Sequence, residues 1–326
     1  MSRFGRIFWG FTTLAILALL VFGLFNLRAI DDWLKLRNYT PPSDIAAIAI
    51  ADTMTTEAKH IFYVNHPDLV NTPLTFRQVC PSYEQTIVLG CYHSGQSGIF
   101  IYRVQDSRLN GIAEVTGAHE MLHAAYDRLS SQDKDEINGL LNDYYANNLR
   151  DQRVMDTIEE YKSTEPNDLL NEMHSIFATE IDSLTPQLES YYGRYFANRE
   201  AVVAFADKYG DEFASRVDKI NEYQQRLTTL KQKVDSQESS LNNQAAEIES
   251  GRRRLDSLRA SGQIDEYNAA VPGFNAKISA YNTGVAQLRS DIAEYNQLVA
   301  AHNELAAELR SLYSSLDTSL SPQTAQ

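Results

Sequence analysis

The chain has 326 residues, room for a globular domain and a further element. Lys and Arg number 29 against 43 Asp and Glu, a net charge of −14, which argues against nucleic acid as a partner. Two cysteines do not make a Cys-rich metal module.

Ile7 to Leu27 is almost wholly apolar and about 20 residues long, enough to cross a bilayer. Arg3 and Arg6 precede it and no small-x-small cleavage site follows. Residues 1–28 therefore read as a cytoplasmic tip and uncleaved transmembrane signal anchor, with 29–43 as a linker. Arg28, Lys35 and Arg37 nearly balance the basic residues before the segment, so charge alone decides little about orientation. Cys80 and Cys91, close together around Pro81 and a strand, fit one disulfide in an oxidising compartment. The expected location is the cell membrane, single-pass, with the bulk of the chain extracytoplasmic.

Residues 44–210 read as a mixed domain. Pro42-Ser43-Asp44 caps a helix from Ile45 to about Glu57, and His60 to His66 reads as a first strand. Thr86–Gly90 and Gly98–Val104 read as a hairpin joined by Ser94–Gly98, and strand Gly98–Val104 is expected to offer a free edge to an extended peptide. Asp106 and Ser107 are caps for a helix over Asn110–Leu129. Further helices are expected at Asp133–Asn148, Asn167–Glu180, Leu184–Phe196 and Arg199–Tyr209.

Within the Asn110–Leu129 helix stands His119-Glu120-Met121-Leu122-His123. Histidines at i and i+4 share a helix face and can reach one zinc ion, and the glutamate between them can act as general base. A catalytic zinc needs a third protein ligand and an open position. Tyr126 and Leu129 stand where a third-histidine motif would place its glycine and histidine, so that class is excluded.

HEMLH followed by a helix bearing Asn171-Glu172 resembles the gluzincins, the thermolysin-like zinc metallopeptidases, over about residues 85–182. The resemblance implies Zn2+ held by His119, His123 and Glu172, with Glu120 as catalytic base and a peptide or protein substrate. Glu180 is the alternate third ligand and His174 a third choice. The family places Asp four residues after its ligand glutamate to orient the first histidine. Here that place holds Ile176, which leaves Asp168, Thr179 and Glu180 to do so. Tyr126, Tyr191, Tyr192 and Tyr195 are candidate oxyanion donors. His60, His66 and His93 read as surface or hairpin residues.

From about Phe213 a heptad pattern begins: Ile220, Tyr223, Leu227, Leu230, Val234, Leu241, Ile248, Leu255 and Leu258, with Gln237, Gln244 and Gly251 in the remaining seam places. Arg259–Gln263 interrupts it. A 14-residue repeat follows, aligning Ile264, Ile278 and Ile292, then Tyr267, Tyr281 and Tyr295, then Val271, Val285 and Val299. Residues 211–317 are expected to form an antiparallel coiled-coil hairpin that Pro272 should kink or break, and 318–326 a disordered tail.

The whole reads as α+β: a transmembrane helix, a small zincin-like domain and a coiled-coil hairpin. The expected function is a membrane-anchored zinc metallopeptidase. A coiled-coil partner or homodimer is the expected use of the hairpin. The competing readings are a cell-envelope scaffold with a structural or degenerate zinc site, and a zinc amidase or other non-peptide hydrolase acting in the cell wall.

Overall fold

The computed structural model describes residues 26–81, 87–164 and 166–318. Helix takes 76% of them, and the one sheet has three short strands, so the α+β expectation is corrected to a predominantly helical protein. The anchor expected at Ile7–Leu27 lies outside the described residues except at its last two positions. Among the described residues no helix is long and apolar enough to cross a membrane. The first of them, α1 (Leu27–Leu36), carries Arg28, Asp31, Asp32 and Lys35 within ten residues. The anchor and the single-pass membrane location drawn from it thus have no support among the described residues and are not carried further.

The described residues form two compact units. One takes the chain up to Asp211 and resumes at Ser314; the other is Glu212–Tyr313.

In the first unit, α1 replaces the expected linker. Its buried Asp32 accepts from Arg128 at 2.9 and 2.8 Å and lies 2.8 Å from His60 Nε2. Then come α2 (Ser43–Ala51) and α3 (Thr56–Val64). The strand expected at His60–His66 is thus largely helix. Thr55 caps it by accepting from the Ala58 amide at 3.2 Å, which is worth about 1 kcal/mol, and Ala58, Ile61 and Phe62 bury one face at helical spacing. β1 (Asp68–Val70), α4 (Pro73–Val79), β2 (Gly90–His93) and β3 (Gly98–Tyr102) follow.

The sheet order is β1-β3-β2, β1 parallel and β2 antiparallel to β3. β3 is therefore paired on both sides and buries Ile99 and Ile101 completely. The free edge expected on β3 is therefore absent, and the edge strands are β1 and β2. Cys80, at the end of α4, is bonded to Cys91 of β2.

Asp106 caps a 3-10 turn (Ser107–Leu109), and Gly111, at φ 113°, opens α5 (Ile112–Asp127). α5 is the centre of the unit: Ala118, Met121, Leu122 and Ala124 have no exposure. Around it pack α6 (Ser131–Asn147), α7 (Gln152–Thr164), α8 (Leu169–Glu180) and α9 (Pro186–Tyr192). The helix expected at Arg199–Tyr209 is the start of a much longer one, α10 (Glu200–Ala260).

The second unit comes from α10 and α11 (Ile264–Leu316). Between them Gly262 takes φ 76°, a left-handed conformation that glycine adopts without strain. Arg216 pairs with Glu308 at 3.3 Å, Lys233 with Asp291 at 2.9 Å and Lys277 with Glu247 at 2.8 Å. The members of each pair lie equally far before and after Gly262 in sequence, the register of an antiparallel hairpin. Pro272 does not break α11. It is exposed, so the carbonyl left without its amide donor can be hydrated. The expected tail lies outside the described residues from 319 onward.

Candidate metal centre

The site is assembled by α5 and α8. On α5, His119 and His123 stand one turn apart, their rings 4.7 Å between centroids and edge-on. On α8, Glu172 faces both: its Oε2 is 3.5 Å from His119 Nε2 and its Oε1 3.5 Å from His123 Nε2. One ligand atom from each of the three lies within 4.8 Å of the others. An ion about 2.0–2.1 Å from each donor in tetrahedral geometry would separate donors by about 3.4 Å, so the two histidine–glutamate separations fit. His119, His123 and Glu172 could therefore hold a metal ion. Burial alone would raise the Glu172 carboxyl. His123, a hydrogen bond with His119 and another with Tyr161 outweigh burial and hold it below the ordinary value.

Glu120 is 6% exposed and lines the same cleft of about 690 Å³. Burial pushes its carboxyl up to about 7; His123 opposes that rise, Glu172 adds to it, and a hydrogen bond from the Tyr92 backbone opposes it. The group is thus poised to take and return a proton near neutral pH. Its position is set by β2. A Cβ on Gly90 would lie 2.6 Å from Glu120 Oε1 and 2.5 Å from Thr116 Cγ2, so a side chain there would have to displace one of them. Tyr92 is fixed in turn: its hydroxyl donates to Asp127 at 2.7 Å and accepts from Gln96 Nε2 at 2.8 Å. Gln96 accepts from Arg128 Nε at 2.8 Å, and Arg128 holds Asp32 of α1. A continuous polar chain therefore joins α1 to the strand that orients Glu120.

The other expected residues fall as follows. Glu180 lines the cleft but is ion-paired with Arg153 and stands outside the three-residue cluster. His174 is fully buried behind the site, its Nε2 2.9 Å from the Tyr191 hydroxyl. Burial, then the charges of His123, His119 and Arg194, lower its pKa to about 3, so it is neutral. Ile176 is a core residue. Thr179 donates to the Ser175 carbonyl, so it does not orient His119, and Asp168 stands at the start of α8 and lines the cleft. Ser175 Oγ approaches His123 Nδ1 at 3.4 Å. His60 bonds to Asp32, His66 stacks on Tyr39, and His93 contacts the Val79 carbonyl at 2.8 Å.

Of the expected oxyanion donors, Tyr126 reaches the cleft, with its hydroxyl given to Asn138 at 2.9 Å, while Tyr192 donates to the His174 carbonyl. Tyr191 and Tyr195 pack around His174. The tyrosine that touches the site is Tyr161 of α7, which the sequence reading passed over. Val154, Ile158 and Tyr161 at i, i+4 and i+7 form a helical stripe that would have exposed it.

In comparisons with known proteins, the chain matches no family model, no curated protein and no solved structure.

Proposed function

We propose that this chain is a zinc-dependent hydrolase of peptide bonds. The single observation behind the reading is the pairing of a His–His–Glu donor set with a buried carboxylate, Glu120, in one cleft. Two imidazoles and a carboxylate suit zinc among the divalent metals. A structural site needs no ionisable group between its ligands, so Glu120 favours hydrolysis over the scaffold reading. Bound zinc would supply Lewis acidity and a water of lowered pKa.

The chain's own residues divide the remaining work. Glu120 accepts a proton from the attacking water at its carboxylate and returns it to the leaving amine. Gly90 and the Tyr92 amide hold that carboxylate in place. Tyr161 orients Glu172 through its hydrogen bond and is a hydroxyl at the cleft for a developing oxyanion. β2, one of the two edge strands of the described sheet, lies along the cleft and would offer backbone groups to an extended peptide.

The test is peptide hydrolysis by Glu120→Gln beside Glu172→Ala. The reading expects Glu120→Gln to keep stoichiometric metal with turnover down about 1,000-fold or more, and Glu172→Ala to lose metal. Full turnover in Glu120→Gln would refute it.

A further inference from the structure

The two helices of the hairpin have unlike outer surfaces. That of α10 is of ordinary solvent type, with exposed Glu222, Arg226, Lys231, Asp235, Glu249 and Arg252 joined in ion pairs along the helix. The outer surface of α11 is different. Counting in sevens from Ile264, the rows that begin at Asp265, Asn268 and Ala269 are exposed throughout, and the row that begins at Ile264 borders them, half covered. Asp265, Arg289, Glu304 and Arg310 are the only charged residues in all four rows.

The first row runs Ile264, Val271, Ile278, Val285, Ile292, Val299; Ile264 is 53% and Ile292 37% exposed, and the other four are half-buried. The third row runs Asn268, Asn275, Asn282, Arg289, Asn296, Asn303, Arg310, all exposed. The third row lies between the first and the second on the helix surface, and the second is mostly Ala and Ser, exposed and small enough for close helix approach. A groove of about 630 Å³ runs here, walled by Asn275, Ile278, Ser279, Asn282, Thr283 and Ala286.

We propose that this face of α11 pairs with the same face of a second copy of the chain. Three observations choose that occupant. The chain carries −14, so most of its surface repels its own copy, and this face carries almost no charge. The rows repeat every seven residues, so in a parallel pair the two central rows meet themselves: Ala and Ser meet Ala and Ser, and the Asn residues, with both donor and acceptor, meet Asn. The area is also sufficient. A helix of 53 residues, at 1.5 Å rise and with a face about 10 Å wide, presents roughly 800 Å², which is what a stable interface buries on each partner. The inference is independent of the hydrolase reading.

The test is the molar mass of the full chain by light scattering across a concentration series. Alongside it run Ala286→Glu/Ala293→Glu on α11 and, as a control, Gln225→Glu on the exposed face of α10. All three changes lie at exposed helical positions that accept glutamate, and circular dichroism checks that helix content is kept. The expected result is a dimer whose dissociation constant rises about 100-fold or more in the double variant and stays unchanged in the control. A monomer at every concentration, a dimer indifferent to the double variant, or equal loss in the control would each overturn the proposal.

Discussion

The unit that holds the metal site and the hairpin unit are stabilised in opposite ways. In the first, function depends on a few contacts between distant parts of the chain: α5 against α8, β2 against Glu120, and α1 against Arg128. In the hairpin the same small contact recurs every heptad, and among its described residues Asp291 is the one buried charge, held by Lys233, Gln237 and Gln287. A site built on unique contacts should fail at single substitutions. A repeating seam should absorb them.

The sharpest break is expected at Glu172. Glu172→Ala removes the only donor from α8, and metal affinity should fall by more than the about 100-fold that loss of an orienting partner costs. Competition titration against a chelator reads it. Gly90→Ala should come next. The added methyl must displace Glu120 or Thr116, and misplacing a reacting group by about 1 Å costs about 100-fold in turnover. Metal content should be retained, which separates this effect from the first.

A third effect is on stability. His174 is buried with its pKa lowered to about 3 from an ordinary 6.5. The unfolded chain therefore binds a proton that the native chain refuses. Stability is full above about 6.5 and is lost as pH falls towards 3, at about 1.4 kcal/mol per pH unit from this group. Asp32, lowered by its hydrogen bonds to Arg128 and His60 against the opposing effect of burial, loses its contribution in the same direction at lower pH. Denaturant unfolding of the metal-free chain between pH 7 and 4 should show a shallower slope in His174→Gln. The smallest effect is expected in the hairpin. Lys277→Ala breaks an ion pair whose side chains are 54% and 63% exposed, and the thermal midpoint should scarcely move.

What was legible in the sequence follows the same division. HExxH is local, and a helix alone brings His119 and His123 together. The hairpin is periodic, so its register could be read from heptads and a glycine turn. Glu172 was reached only through a resemblance, because its placement depends on how α8 docks against α5. Tyr161, Gly90 and the Arg128–Asp32 pair are tertiary facts with weak local signals. The stretch His60–His66 misled because its β-branched and aromatic residues suit a strand, while the cap at Thr55 and the apolar spacing from Ala58 decide for helix. Asp291 was missed because a charge in a seam position breaks the pattern from which the seam is read.

The most direct test of the account is X-ray absorption at the zinc edge on the zinc-loaded chain. Two imidazole nitrogens and a carboxylate oxygen at about 2.0–2.1 Å, no sulfur, and loss of that signature in Glu172→Ala are the predicted result. An unchanged zinc environment in Glu172→Ala, or a zinc shell with fewer than two imidazoles, would contradict it.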